Sequence, residues 1–118
     1  RRDCERCNCT FRQRAEGAFR ILTVSQDDPG KTAAFHERLG VHLATAFDPE
    51  PWTASDALGV TTVPTLFRVG PTGPVEETIV GFDRAGMEGL SRRAAALSGR
   101  PATPLFRANE HVPAIKPG

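Results

Sequence analysis

Short apolar runs alternate with polar, turn-forming stretches along the first sixty residues, and their spacing predicts strands separated by a helix. The run ILTV at 21–24 is apolar and rich in β-branched residues, and SQDDPG follows it, so we predict a buried strand that ends in a loop. VHLATAF at 41–47 alternates as a half-buried strand does. Between the two, Asp28 is an N-cap followed by Pro29 in the first helical position, which predicts a helix that ends at Gly40.

The second half of the chain predicts a hairpin and one long amphipathic helix. ASDALG at 54–59 is typical of a short helix closed by glycine, and 61–82 holds two extended runs, TLFRV and PVEETIVGF, joined by the turn GPTG. Asp83 then caps a helix whose apolar residues follow a 3, 4, 3 spacing. Those residues are Met87, Leu90, Ala94 and Leu97.

The order of these elements indicates an α/β fold. With a short helix expected at 10–17, helices come between successive strands, which implies parallel crossovers, and the hairpin adds antiparallel strands. We therefore predict one mixed β-sheet flanked by helices on both faces, within a single domain at 1–99. Residues 100–118 carry four prolines and no periodicity, so they are expected to form a surface-lying or disordered tail. Its candidate anchors are Leu105, Phe106 and Ile115.

Composition and charge exclude only a few classes of protein. Hydrophobic residues make up 39% of the 118 residues, charged residues 25%, and the formal net charge is +1, as in ordinary globular proteins. The first twenty residues contain six arginines and three carboxylates. This excess of three positive charges is too small to predict nucleic-acid binding. No apolar run approaches the roughly 20 residues of a membrane span, and no signal peptide is recognisable. Bacterial cytoplasm and periplasm are both compatible with the sequence, and the oligomeric state is left open.

Three cysteines, Cys4, Cys7 and Cys9, lie together in the sequence DCERCNC, and the chain has no others. An odd number of cysteines clustered at one end does not form a framework of structural disulfides. A C-x-x-C pair can instead serve thiol-disulfide exchange, because one thiolate attacks and the second thiol resolves the mixed disulfide. Alternatively, the three thiolates can share one zinc or copper(I) ion, for which a closed zinc site needs a fourth ligand.

The whole pattern resembles the thioredoxin fold, and more closely the TlpA and ResA type of thiol-disulfide oxidoreductase, over roughly residues 3–98. The residues that carry the resemblance are Cys4, Glu5, Arg6 and Cys7 in the motif, then Gly59, Val60, Val63, Pro64 and Thr65, then Gly73 in the hairpin turn and Gly81 before the last helix. The additional strand and helix between Val24 and Ala57 match the insertion that distinguishes this type from plain thioredoxin.

The resemblance implies a role for each of these residues. Cys4 is expected to be the nucleophile and Cys7 the resolving thiol, without an organic cofactor, and the partners are expected to be protein or small-molecule thiols and disulfides. Pro64 is expected to follow a cis peptide bond, with the backbone of Val63 receiving an extended substrate segment. The family has a strand before the motif, where this sequence has only three residues, so we expect that strand to be missing or truncated. Asp3 stands where the family has an aromatic or small residue.

Simpler interpretations compete with each of these expectations. Cys4, Cys7 and Cys9 could form a metal-binding module, although the three histidines, at 36, 42 and 111, follow no ligand pattern. The chain could also be a non-catalytic thioredoxin-like interaction domain. Pro64 could be an ordinary trans proline at an edge strand. Trp52, at a junction of loop and helix, is more simply interpreted as a core residue than as a surface aromatic.

Overall fold

The computed structural model describes residues 19–117, and the chain falls into two compact units that divide between Val60 and Thr61. The boundary lies inside the predicted domain 1–99, and residues 100–117 belong to the second unit. The described elements are β1 (Leu22–Ser25), α1 (Pro29–Leu39), β2 (Ala44–Phe47), α2 (Thr53–Ala57), β3 (Thr65–Val69), β4 (Val75–Val80), β5 (Phe82–Asp83), α3 (Arg84–Leu97) and β6 (Ile115–Lys116).

The first unit contains a parallel strand pair joined by a helix, which confirms the predicted crossover. β1 pairs with β2 in parallel, with Leu22 opposite Ala44, and α1 connects them. Asp28 caps α1 as predicted, because its carboxylate accepts a hydrogen bond of 2.9 Å from the backbone N–H of Lys31. The helix ends where the N–H of Gly40 donates to the carbonyl of Glu37 at 3.0 Å.

The prediction that β1 is buried is wrong for its apolar side chains. Leu22 is 62% exposed and Val24 is 54% exposed. Side chains alternate between the two faces of a strand, and the hydroxyl of Ser25 bonds to that of Thr32 on α1 at 2.7 Å. The helix therefore covers the face that carries hydroxyl groups, and the apolar residues lie on the opposite face.

The second unit contains the predicted hairpin. β3 and β4 pair antiparallel, with Thr65 opposite Val80, and the ladder shifts register between Arg68 and Val69. The turn is closed by a 2.8 Å hydrogen bond from the N–H of Gly70 to the carbonyl of Pro74. Gly73 has a φ of 107°, which a residue with a side chain rarely adopts, so the conformation of this turn favours glycine at position 73.

The strands pair differently from the single mixed sheet predicted. Among residues 19–117 they form three two-stranded sheets, β1–β2, β3–β4 and β5–β6. In the second unit, β4 and β5 are separate strands because Gly81, between them, has a φ of 67° and interrupts the extended backbone. The α/β class is confirmed, because helices and strands alternate along the described residues.

Helix α3 belongs to the second unit and buries one of its sides there. Three of the four residues in the predicted stripe, Met87, Leu90 and Ala94, are buried, whereas Leu97 in the last turn is exposed. Ile79 and Phe82 are also buried, and a Cβ placed on Gly86 would lie 3.3 Å from Cγ1 of Ile79. The apolar core of this unit therefore forms where α3 approaches β4 and β5.

Candidate functional site

The predicted catalytic motif lies outside the described residues. Cys4, Cys7 and Cys9, together with the helix expected at 10–17, belong to the part of the chain before residue 19. Val63 and Pro64, the predicted substrate-binding residues, belong to the second unit and are described in full. The geometry of the candidate site is therefore the geometry of the segment that enters β3.

Two hydrogen bonds hold the Val63–Pro64 segment at the start of the hairpin. The carbonyl of Pro64 accepts a 2.8 Å bond from the N–H of Gly81, which ties the segment to the opposite strand. The hydroxyl of Thr65 donates to the carbonyl of Thr62 at 2.6 Å, so the turn before β3 is closed on itself. The Val63–Pro64 peptide bond is cis rather than trans.

Val63 itself projects into solvent. The residue is 58% exposed, and within residues 19–117 its backbone makes no hydrogen bond. The residue on each side of it in the turn, Thr62 and Pro64, does have a bonded carbonyl. An unbonded backbone amide and carbonyl of an exposed residue next to a fixed turn are groups that an extended peptide can pair with.

A buried carboxylate in the first unit organises the loop between β2 and α2. Asp48 accepts hydrogen bonds from the N–H of Ala54 at 3.0 Å and from the N–H and hydroxyl of Ser55 at 2.8 and 2.7 Å. The Ser55 hydroxyl and the Ala54 amide hold the pKa of Asp48 below its ordinary value, against the opposing effect of burial. Every one of these bonds fixes the start of α2, so the role of Asp48 is structural.

Trp52 differs from its sequence interpretation as a core residue. Its side chain is exposed, and its φ of 57° puts a large non-glycine residue in the left-handed region immediately before α2. The N–H of Trp52 donates to the carbonyl of Pro49 at 2.8 Å, and its carbonyl accepts from Asp56 at 2.9 Å. The core interpretation failed because this position belongs to a tight turn between two elements rather than to either element.

A charged cluster crosses the hairpin from β3 to β4. Nε of Arg68 donates to Glu77 at 3.1 Å, and the same guanidinium also pairs with Glu76. The bond to Glu77 raises the pKa of Arg68 above its ordinary value. The sequence showed no signal for this cluster beyond the alternation of the two strands, because the partners depend on the hairpin register.

The described histidines do not form a metal site. Within residues 19–117, no three His, Cys, Asp or Glu side chains come together in a way that could hold a metal ion. His36 lies beside the ring of Phe35, with centroids 6.2 Å apart, and His111 approaches the carbonyl of Asn109. A metal module of Cys4, Cys7 and Cys9 concerns residues outside this part of the chain. No helix in the described part is long and apolar enough to cross a membrane.

Comparison with known proteins gives no relative to set beside this geometry. No protein-family model, curated protein or solved structure matches the chain.

Proposed function

We propose that this chain is a thiol-disulfide oxidoreductase in which Cys4 and Cys7 exchange disulfides with a partner. Support comes from the C-x-x-C motif followed by a parallel strand–helix–strand unit, an antiparallel hairpin and an amphipathic helix. The observation that carries the proposal is the unbonded backbone of the exposed residue Val63 at the fixed entry to β3. It offers an extended partner segment a docking edge of the kind that the proposed reaction needs.

The proposed reaction is a two-electron exchange. The thiolate of Cys4 attacks one sulfur of the partner's disulfide, forms a mixed disulfide and releases the other partner sulfur as a thiolate. The thiolate of Cys7 then attacks the sulfur of Cys4, which releases the second partner sulfur as a thiolate and leaves a Cys4–Cys7 disulfide. The partner gains two electrons and the dithiol loses them; the reverse sequence oxidises a partner dithiol.

The first test is an equilibrium redox titration in glutathione or dithiothreitol buffers, quenched by alkylation and read by peptide mass spectrometry. We expect one two-electron transition confined to Cys4 and Cys7. Cys4→Ser should abolish exchange, Cys7→Ser should trap the mixed disulfide, and Cys9→Ser should retain most activity. Equal loss in all three variants, with stoichiometric zinc or copper in the purified protein, would replace the proposal by a metal-binding module.

A second test separates docking from thiol chemistry. Val63→Pro removes the backbone N–H of Val63, whereas Val63→Ala keeps it. If Val63 receives the partner's backbone, Val63→Pro should slow exchange with a disulfide-containing peptide by roughly tenfold, the effect of about one hydrogen bond. Exchange with dithiothreitol should change much less. Equal rates for the two variants on the peptide, with unchanged circular dichroism, would contradict the docking role.

A further inference from the structure

The C-terminal strap, residues 100–117, is bound to α3 through its backbone. A single carboxylate oxygen of Glu88 accepts hydrogen bonds from two consecutive amides, those of Leu105 at 2.8 Å and Phe106 at 3.0 Å. A charged acceptor strengthens both bonds. Because the donors are two consecutive main-chain N–H groups, this contact recognises a bend in a peptide backbone and not a particular side chain.

Two adjacent apolar side chains anchor the same part of the strap. Leu105 is buried, and the ring of Phe106 meets that of Phe82 edge to face, with centroids 5.8 Å apart. Phe82 belongs to β5 and Glu88 to α3, so the anchor pair sits where the two elements meet. Leu105 and Phe106 thus supply the apolar side chains of this part of the contact.

Further along, the strap adds a strand to β5. Lys116 pairs with Phe82, Ile115 pairs with Asp83, and the N–H of Arg84 donates to the carbonyl of Ala114 at 3.0 Å. The guanidinium of Arg84 also donates to the carbonyl of Val112 at 3.1 Å. The side chain of Ile115 is 71% exposed, so the expected anchoring role of Ile115 is carried by its backbone. Addition of a strand to an exposed sheet edge is a common mode of peptide recognition.

The strap is thinly packed, whereas the surface that receives it is built into the fold. Of its residues only Leu105 is buried, and three others are half-buried, namely Phe106, Glu110 and Val112. Little apolar burial offsets the entropy of ordering such a segment, so it is expected to open locally before the rest of the unit. On the other side, Asp83 caps α3 through a 3.1 Å bond from the N–H of Gly86, which fixes β5 to the helix.

We propose that this surface, formed by Phe82, Arg84 and Glu88, is a binding site for a segment of a partner protein that carries two adjacent large apolar residues and bends there as the strap does. The strap is the resident occupant, and the partner displaces it. The proposal stands on contacts within residues 61–117 and does not depend on thiol chemistry. Three contacts would recognise the partner: two consecutive backbone amides that donate to Glu88, a ring against Phe82 next to a buried apolar side chain, and a strand added antiparallel to β5.

The test uses a fluorescently labelled synthetic peptide of residues 100–117 and the full chain, kept reduced. In the wild-type chain the tethered strap competes at an effective concentration in the millimolar range. The full-chain variant Leu105→Ser/Phe106→Ser weakens the strap and leaves the receiving surface intact. We expect the peptide to bind this variant at least tenfold more tightly than the wild type, measured by fluorescence anisotropy.

Matched controls identify the contacts. A peptide with the same two serine substitutions should bind at least tenfold more weakly. Adding Glu88→Ala to the chain variant should weaken binding of the unsubstituted peptide, and Glu88→Gln should restore part of it, because it retains an acceptor oxygen but not the charge. Absence of saturable binding up to about 1 mM peptide, or equal binding of the two peptides, would overturn the proposal.

Hydrogen exchange on the wild-type chain gives a readout that does not depend on how the variant folds. The amides of Leu105, Phe106 and Lys116 should exchange at least tenfold faster than the slowest amides of α3, because the strap opens without unfolding the unit. Exchange of the strap at the same rate as the centre of α3 would mean that it opens only with global unfolding, and the site would then be permanently filled.

Discussion

Helices α1 and α3 each lie beside a two-stranded sheet, but different side chains make the contact. In residues 19–60, α1 meets β1 through the hydroxyls of Thr32 and Ser25, and the hydroxyls of Thr23 and Thr45 bond across β1 and β2 at 2.8 Å. Val41 is the one buried hydrophobic residue in that described part of the first unit. In residues 61–117 the buried hydrophobic residues are Ile79, Phe82, Met87, Leu90, Ala94 and Leu105.

This contrast predicts different sensitivities. The hydroxyl contact between α1 and β1, like the loop held by the buried carboxylate of Asp48, gains little from the hydrophobic effect and depends on each group keeping its partner. A contact made by Leu, Met and Phe depends on volume, since each lost methylene leaves an unfilled space. We therefore expect the first unit to respond mainly to pH and to polar substitutions, and the second mainly to truncation of apolar side chains.

The largest effect should come from Leu90→Ala. Leu90 is 2% exposed, and truncation of a buried leucine costs about 3 kcal/mol, from lost burial and from the cavity left behind. The melting temperature should fall by about 10 °C or more, followed by circular dichroism. The matched control is Leu97→Ala on the same stripe, because Leu97 is 64% exposed and should shift the melting temperature by less than about 2 °C. Equal shifts would mean that the stripe does not form the core.

A smaller effect, confined to the first unit, is expected for Asp48→Asn. The substitution removes the charge that the Ser55 hydroxyl and the two amides stabilise, so hydrogen exchange should accelerate in α2 and in the β1–β2 pair. The melting temperature of this unit should fall by roughly 5 °C at pH 7. Asp27→Asn, at an exposed position of a neighbouring loop, is the control and should leave both readouts unchanged.

The pH dependence of the same variant follows from the lowered pKa of Asp48. A carboxyl group whose pKa is lower in the folded state stabilises the fold above its unfolded value, about 3.8, and that contribution disappears as the pH falls through the folded value. The gap in melting temperature between wild type and Asp48→Asn should therefore be full at pH 7 and shrink below about pH 4. A gap that is constant between pH 7 and pH 2 would show that the charge of Asp48 contributes nothing.

The sequence predicted those features that depend on local chemistry. Asp28 before Pro29 located the start of α1, the GPTG turn located the hairpin, and the 3, 4, 3 spacing located the buried side of α3. Each of these signals acts over a few residues, so a pattern along the chain is sufficient to identify it.

Features that depend on tertiary partners were not predictable in the same way. Asp48 was unremarkable in the sequence, because its role depends on Ala54 and Ser55 folding back toward it. The exposure of Leu22 could not be read from an apolar run, since periodicity does not say which face of a strand a helix will cover. At the candidate site, the cis bond before Pro64 was expected from the family resemblance, whereas the bond from Gly81 to the carbonyl of Pro64 depends on the hairpin register.

The smallest effect should come from the charged cluster on the hairpin of the second unit. Arg68→Met keeps the aliphatic stem and removes the pairing with Glu76 and Glu77. We expect the melting temperature to fall by less than about 3 °C at low salt, since partly exposed ion pairs are screened by solvent. In 1 M salt, where the screening length is about 3 Å, the difference should largely vanish.

A double-mutant cycle with Glu77→Gln distinguishes the ion pair from packing of the Arg68 stem. If the Nε bond to Glu77 stabilises the hairpin, the two substitutions together should cost less than the sum of their separate effects. Arg92→Met, at an exposed position on α3, controls for the loss of one positive charge and should shift the melting temperature less than Arg68→Met does. Additive effects, or equal shifts at positions 68 and 92, would mean that the ion pairs of the cluster do not stabilise the hairpin. Packing would then account for the stabilising effect of Arg68.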